Sequence, residues 1–339
     1  TIKLFNFDHV KESLENVARR ELPRILTQFC RDPNNRAYGC ADRNWWHYKI
    51  RDFPSIILQQ AALTIHSASQ LNTEDKDGFS NLIEASIIFW NERATKYGAY
   101  EEYYPWEKGY PPLAFSTLAI MILIKERSLN PGLVKAGVAK AAYQLKKRFE
   151  NEAANQQIAG LAALAHIKNF FPELVSVNEF EELSHKCLAL QNNEGWFYEY
   201  GGPDLGYLSV TIDCLWDLFD ATKDPKFIKC AEKSLNFIHY LVSWSYGKNF
   251  GIHNSRNTDY IVPYGISRFL IYENKSSNIA SAILKKVFIN SDNEKHFLAS
   301  IDDRYWCHYI GTSIFRALKK IPNSLKSSEY SLPKKSFKH

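Results

Sequence analysis

The stretch Gly195-Trp-Phe-Tyr-Glu199-Tyr200-Gly-Gly-Pro-Asp204-Leu-Gly206-Tyr207 leads directly into an apolar segment with helical spacing. The stretch Gly98-Ala-Tyr-Glu-Glu102-Tyr103-Tyr-Pro-Trp-Glu107-Lys-Gly109-Tyr110 does the same earlier in the chain. Both follow the pattern Gly-x3-Glu-Tyr-x3-Asp/Glu-x-Gly-Tyr, and this degree of agreement indicates an internal repeat. The sequence therefore predicts two acidic, aromatic loops at equivalent places in a repeating scaffold.

Apolar residues recur at three- and four-residue steps along most of the chain, which is the period of an amphipathic helix. In the opening helix Val10, Leu14 and Val17 share one face, and Asp8 is the predicted N-cap. Eleven further helices are predicted at residues 53–70, 77–95, 110–127, 132–149, 152–170, 178–190, 205–221, 225–243, 260–273, 276–289 and 303–319.

Every second predicted helix follows a loop rich in aromatic, acidic, amide and basic side chains, whereas the helices between them follow short polar connections. One repeat is therefore about fifty residues, the length of a helical hairpin. Six such hairpins can close into an (α/α)6 toroid with inner and outer helix rings and no β domain, and an open α-solenoid is the alternative. Residues 1–321 would form one toroid domain, and residues 322–339 a polar C-terminal tail.

Composition is that of an ordinary globular protein, with 45% apolar and 23% charged residues. A net charge of +5 without a basic stripe makes nucleic-acid binding unexpected. No apolar run reaches the roughly 20 residues of a membrane span, so no transmembrane segment is expected. No signal peptide is visible, which favours a cytoplasmic location, but the chain begins at Thr1 and the native N-terminus can be missing. The six cysteines are scattered without metal-ligand spacing, so no metal or cofactor is expected.

Glu102 and Glu199 occupy matching positions of the repeat and can face each other across a shared funnel. Two carboxylates on either side of a bond are what glycoside hydrolysis requires, one to donate a proton and one to attack or to activate water. Acids ahead of helices also cap free N–H groups, and Glu107 and Asp204 fit that role as well as substrate binding.

A second set of residues suits proton abstraction from C5 of a uronate. That reaction needs a proton carrier and a group that neutralises the sugar carboxylate. Candidate proton carriers are Tyr207, Tyr110 and His253, and candidate carboxylate-binding cations are Arg256 and Arg43. The remaining candidates for substrate binding are Trp45, Trp46, His47, Tyr103, Trp196, Tyr200, Asn254, Tyr260 and His308.

The two loops resemble the Gly-x-x-x-Glu element, aromatic stretch and inner-helix Tyr of carbohydrate-active enzymes built on the (α/α)6 toroid. They are most nearly similar to the toroid part of the heparinase II/III-like polysaccharide lyases. The resemblance implies a toroid that acts on a polysaccharide. No β-rich segment corresponds to the β-sandwich of those lyases, and Leu208 and Pro111 stand where a His usually follows their Tyr.

The sequence thus predicts a carbohydrate-active enzyme for an acidic, uronate-containing glycan, working by C5 proton abstraction as a lyase or epimerase. A glycoside hydrolase with paired carboxylates is one alternative, and a non-catalytic glycan-binding protein is another. A third is a toroid of the terpenoid cyclase or prenyltransferase kind, because Gln191-Asn-Asn-Glu-Gly195-Trp196 looks like an element of the cyclases.

Overall fold

The structure, a computed structural model, describes most of the chain. The described residues are 3–42, 57–71, 79–97, 100, 108–244, 254–256, 258, 260–272, 274–288, 301, 303–322 and 324–327. The helices are α1 (Asp8–Leu26), α2 (Ala61–Leu71), α3 (Ser80–Tyr97), α4 (Tyr110–Glu126), α5 (Lys135–Lys147), α6 (Ala154–Phe170), α7 (Val177–Leu188), α8 (Leu205–Thr222), α9 (Pro225–Trp244), α10 (Tyr264–Arg268), α11 (Asn274–Phe288), α12 (Asp303–Tyr305) and α13 (Gly311–Leu318).

The prediction of an all-α chain is confirmed. Two short strands, β1 (Lys3–Asn6) and β2 (Ser324–Ser327), pair antiparallel. The second strand lies within the segment expected to be a tail. A π-helical turn, Trp306–Ile310, separates α12 from α13 where one continuous helix was predicted. The prediction of Asp8 as an N-cap is wrong, because Phe7 is the cap residue and Asp8 lies in the first turn.

Helices α4 and α6 are buried on almost all sides, as their apolar sequences predict. By contrast, α7 is amphipathic and buries Phe180, Leu183 and Cys187 on one face. The buried helices contact one another in the order α2, α4, α6, α8, α10 and α13, and α13 in turn contacts α2. Helices α1, α3, α5, α7, α9 and α11 each pack against helices of this cycle, and α3 also packs with α5, α9 with α11, and α1 with α11.

The buried helices begin near one another at one end of the molecule. The Tyr110 hydroxyl at the start of α4 donates to Gln157 Oε1 in the first turn of α6. Gln60, just before α2, bonds to His308 Nδ1 in the π-helical turn, 2.6 Å away. At the other end, His66 Nε2 of α2 lies 3.2 Å from Glu126 Oε2, the last residue of α4. These contacts place the described starts of α4 and α6, and of α2 and the π-helical turn, at one end of the buried helices, called here the rim.

Among the described residues, no helix combines the length and apolar character that crossing a membrane requires.

Candidate functional site

Glu199 lies at the rim, where its carboxylate caps the beginning of α6. The residue preceding that helix is Ala153, whose methyl side chain cannot accept a hydrogen bond. Glu199 Oε1 accepts a hydrogen bond from the Asn155 backbone N–H at 2.6 Å, and Oε2 accepts one from Asn155 Nδ2 at 2.8 Å. Since the first N–H groups of a helix lack partners within it, Glu199 supplies the missing acceptor from a distant loop.

Burial dominates the electrostatics of this acid. Glu199 is fully buried, which penalises its charged form and raises its pKa from 4.5 to about 8. The two hydrogen bonds from Asn155 act in the opposite direction, and the nearby carboxylates of Asp204 and Glu150 raise the pKa further. At neutral pH Glu199 therefore holds a proton most of the time.

Asp204 is the N-cap of α8, as the sequence predicts. Its Oδ1 accepts from the Tyr207 backbone N–H at 3.0 Å and from the Thr258 hydroxyl. Its Oδ2 accepts from the Arg256 backbone N–H at 3.2 Å. One carboxylate thus joins the start of α8 to the segment that carries Arg256.

Asn254 also joins the start of α8 to this segment, because both polar atoms of its buried side chain are hydrogen-bonded. Its Oδ1 accepts from the Leu205 backbone N–H at 2.8 Å, and its Nδ2 donates to the Thr258 carbonyl at 2.6 Å. Ser255 Oγ donates to the Glu199 carbonyl. The described part of the 254–258 segment is therefore bonded to both Glu199 and the first turn of α8.

Above this buried layer lies a partly exposed group that we call the rim cluster: Tyr200, Tyr207, Arg256 and Gln156. The Arg256 guanidinium lies over the Tyr200 ring, with Cζ 4.5 Å from the ring centroid. Gln156 Nε2 donates to the Tyr200 hydroxyl at 3.0 Å, and the Tyr200 and Tyr207 ring centroids are 6.5 Å apart. Tyr200 is 39% exposed, so its ring is accessible to a ligand.

The backbone at Tyr200 is in the left-handed region, with φ of 49°. Gly201 follows with φ of 103°, a conformation that glycine adopts without a steric penalty. A tyrosine in this region is uncommon and costs roughly 1 kcal/mol or more. Because such backbone strain concentrates at functional sites, it supports Tyr200 as a candidate site residue.

A row of tyrosines continues from the rim cluster into the protein. Burial, followed by the neighbouring Tyr305, Asp204 and Tyr200, raises the pKa of the Tyr207 hydroxyl. Tyr305 and Tyr309 have ring centroids 5.9 Å apart, and the Tyr309 and Tyr260 hydroxyls are hydrogen-bonded. A hydroxyl with a raised pKa keeps its proton, so Tyr207 suits donation better than abstraction.

Three other predicted residues lie apart from the rim cluster. Tyr110 is buried, and burial first of all raises its pKa. His308 is buried against Phe115, and burial lowers its pKa to about 3, so it stays neutral in the core. Trp196 is partly buried and donates through Nε1 to Glu194 at 3.1 Å. No ring contact joins it to Tyr200 or Tyr207 in the part of the chain that the structure describes.

The remaining predicted residues lie outside the described residues: Glu102, Tyr103, Glu107, Arg43, Trp45, Trp46, His47 and His253. The predicted pairing of Glu102 with Glu199 therefore stays a prediction.

The structure also gives roles to residues that the sequence left as unassigned members of polar loops. Asn155 and Gln156 hold Glu199 and Tyr200, and Tyr305 adjoins Tyr207. The only sequence signal for them was their position in the loops ahead of buried helices.

The described residues contain no cluster of three or more His, Cys, Asp or Glu side chains placed to hold a metal ion. The arrangement at the rim is instead an exposed cation and aromatic rings above buried acids. No family model, curated protein or solved structure matches this chain.

Proposed function

We propose that the chain is an (α/α)6 toroid that acts on an acidic, uronate-containing glycan at the rim cluster. Two features support the toroid: the cycle of contacts from α2 through α13 back to α2, and the packing of six helices outside it. The rim would then be the mouth of the ring. The glycan proposal rests chiefly on one observation, the Arg256 guanidinium over the exposed Tyr200 ring.

Arg256 suits the carboxylate of a uronate, and Tyr200 suits the apolar face of its sugar ring. No carboxylate of the described residues pairs with the Arg256 guanidinium, so it is available to a ligand anion. Guanidinium groups bind carboxylates through paired, charge-assisted hydrogen bonds. Aromatic rings provide an apolar surface for the C–H face of a sugar, and Tyr200 and Tyr207 present two of them.

For the reaction, C5 proton abstraction is the form we propose. Arg256 would neutralise the uronate carboxylate, which stabilises the charge that develops when the C5 proton leaves. Tyr207, whose raised pKa keeps it protonated at neutral pH, would be the proton donor rather than the base. In a lyase the Tyr207 proton goes to the departing C4 oxygen as the C4–C5 double bond forms. In an epimerase it is delivered to C5 from the face opposite to the one that lost its proton to the base. His253 remains the proposed proton acceptor.

One observation favours a second candidate, glycan binding without turnover. Both carboxylate oxygens of Glu199 are occupied by Asn155, and those of Asp204 by Tyr207, Thr258 and Arg256. The acids described at the rim therefore serve the fold, which weakens the paired-carboxylate hydrolase and is compatible with a binding protein.

Calorimetric titration with uronate oligosaccharides tests the substrate class, with neutral glucan oligosaccharides for comparison. Arg256→Gln should weaken binding of the acidic sugars at least about tenfold, the size expected for a lost charge-assisted bond. Arg19→Gln, on the exposed side of α1, is the matched control and should bind normally. Equal affinity for acidic and neutral sugars would contradict the proposal.

Two readouts then separate the reactions. Ultraviolet absorbance of an unsaturated uronate reports a lyase, and incorporation of deuterium at C5 from heavy water reports an epimerase. New reducing ends without either signal would indicate a hydrolase. Binding with none of the three would indicate the non-catalytic candidate.

A further inference from the structure

A cavity of about 210 Å³ lies at the end of the buried helices opposite the rim. It is lined by side chains from the C-terminal parts of α4, α6, α8 and α13, from the turn after α13 and from α10. Five of them are cations: Lys125, Arg268, Arg316, Lys319 and Lys320. Only three are carboxylates, Glu126, Asp217 and Asp220. The lining side chains therefore carry two more positive than negative charges when His166 is neutral, and the carbonyl ends of the helices at the same cavity offset part of this excess.

The two arginines are held rigidly. Arg268 makes a bidentate ion pair with Asp220, at 2.7 and 2.9 Å. Arg316 makes another with Asp217, at 2.5 and 3.2 Å, and its Cζ lies 3.8 Å from the centroid of the Tyr264 ring. Preorganised guanidinium groups bind a ligand without a further cost for ordering their side chains.

The lysines are less engaged. Lys319 Nζ is 3.9 Å from Glu126, a distance at the limit of an ion pair. Lys125 and Lys320 form no ion pair with any described residue. Burial is the main cause that lowers the pKa of Lys319; Glu126 raises it, and the neighbouring Arg316 and Lys320 cations lower it.

His166, which is 2% exposed, also lines the cavity. Neither of its ring nitrogens makes a hydrogen bond of normal length and angle, and the nearby Asp217 backbone only partly opposes the lowering of its pKa by burial. Buried polar groups are nearly always hydrogen-bonded, and an unpaired one costs about 1–3 kcal/mol. An imidazole with incomplete hydrogen bonding at the wall of a cavity can donate to a ligand that enters it.

Helix dipoles account for part of this arrangement. Cations are favourable in the last turn of a helix, which explains Lys125 on α4. Dipoles do not explain why cations from three helices and the turn after α13 line one cavity, or why the hydrogen bonding of His166 is incomplete.

We propose that this cavity binds a small tetrahedral dianion of the phosphate class, either free phosphate or the phosphoryl group of a sugar phosphate. The lysines and arginines would neutralise its charge, and His166 would donate to one of its oxygens. The site is separate from the rim cluster, so this proposal and the glycan proposal can fail independently.

Calorimetric titration of the full chain at constant ionic strength tests the proposal, with inorganic phosphate, glucose 6-phosphate and glucose as ligands. The double variant Lys125→Gln/Lys320→Gln removes two cations whose side chains make no ion pairs among the described residues. Its matched control, Lys229→Gln/Lys233→Gln on α9, changes the net charge equally at exposed positions away from the cavity. Melting temperatures without ligand establish that each variant folds.

We expect saturable binding of phosphate or glucose 6-phosphate, no binding of glucose, and at least about tenfold weaker binding in the cavity variant alone. Binding of only one of the two anions would identify the source of the phosphoryl group. Imidazole nitrogen signals, assigned with His166→Gln, should shift on binding. Absence of binding up to about 10 mM anion would overturn the proposal. Equal weakening in the control would also overturn it, because the effect would then be one of overall charge.

Discussion

At the scale of single residues, the capping role of Asp204 could be predicted because its partner is three positions away. The role of Glu199 could not, because Asn155 lies 44 positions away in the sequence and only the fold brings them together. The sequence showed a repeated acid, and the structure shows that the second copy caps a neighbouring helix. The same limit applies to Arg256, whose stacking on Tyr200 depends on the Asp204 junction.

Glu199→Gln should change how stability depends on pH. The raised pKa of about 8 means that the folded chain holds a proton that the unfolded chain releases above 4.5. The contribution of this proton to the free energy of unfolding is fully present below pH 4.5 and is lost as pH rises. About 2 kcal/mol of the loss falls between pH 6.5 and 8.5. In urea unfolding, the free energy of unfolding of the variant should lack that part of its dependence on pH. Its overall stability should fall by about 1–3 kcal/mol, because one N–H donor of Asn155 then faces the NH2 group of the glutamine instead of an acceptor oxygen.

Glu182→Gln, at an exposed ion pair with Lys186, is the control and should keep the wild-type slope. Asp213, whose pKa burial raises to about 7, contributes a smaller slope in the same direction to every variant. An undiminished slope in Glu199→Gln would contradict the assignment of the proton to Glu199.

Tyr200→Gly should separate stability from binding. Glycine removes the left-handed strain at this position, which offsets the loss of the ring's contacts, so we expect stability within about 1 kcal/mol of wild type. Binding of acidic oligosaccharides should be lost together with the ring. Lys223→Gly, at the left-handed C-cap of α8 with φ of 60°, relieves similar strain away from the rim cluster and should bind normally. Unchanged binding in Tyr200→Gly would remove the ring from the proposed site.

At the scale of secondary structure, periodicity predicted every long helix, because burial of an apolar face is a local pattern. The helix predicted over 260–273 is shorter in the structure, where α10 covers Tyr264–Arg268, and the π-helical turn before α13 was not predicted, since the apolar sequence continues through both. The spacing of buried helices is set by small residues whose partners are remote. Gly265 is the example: a Cβ there would lie 2.7 Å from the Asp213 backbone N and the Ile212 backbone C in α8.

Gly265→Ala should therefore destabilise the protein by about 2–3 kcal/mol, because α10 must move away from a backbone that cannot give way. Gly202→Ala is the matched control, since its nearest heavy atom would be 3.7 Å from the new Cβ. Urea unfolding should show the control within about 0.5 kcal/mol of wild type. Equal stability of the two variants would mean that α8 and α10 are less closely packed than described.

At the scale of the whole molecule, the repeat suggested a ring without revealing how its ends meet. In the structure, α13 lies against α2, and the Thr64 and Thr312 hydroxyls are 2.8 Å apart between them. This seam joins segments about 250 positions apart, which no local pattern encodes. Whether the ring is closed decides how a local perturbation spreads, because in an open array each unit depends only on its neighbours.

Gly311→Leu tests closure, since a Cβ at Gly311 would meet Thr64 at 3.0 Å and Ile25 at 3.1 Å, besides the Trp306 backbone oxygen of the π-helical turn at 2.7 Å. In a closed ring that unfolds as one unit, opening the seam should lower the amide-exchange protection of α6, on the far side, by as much as that of α2, about 2–4 kcal/mol. An open array would lose protection near α2 and α13 and keep it in α6. Lys233→Leu, on the exposed surface of α9, adds the same side chain away from the seam and should leave both helices unchanged. Retained protection of α6 in Gly311→Leu would therefore replace the proposed toroid with a solenoid.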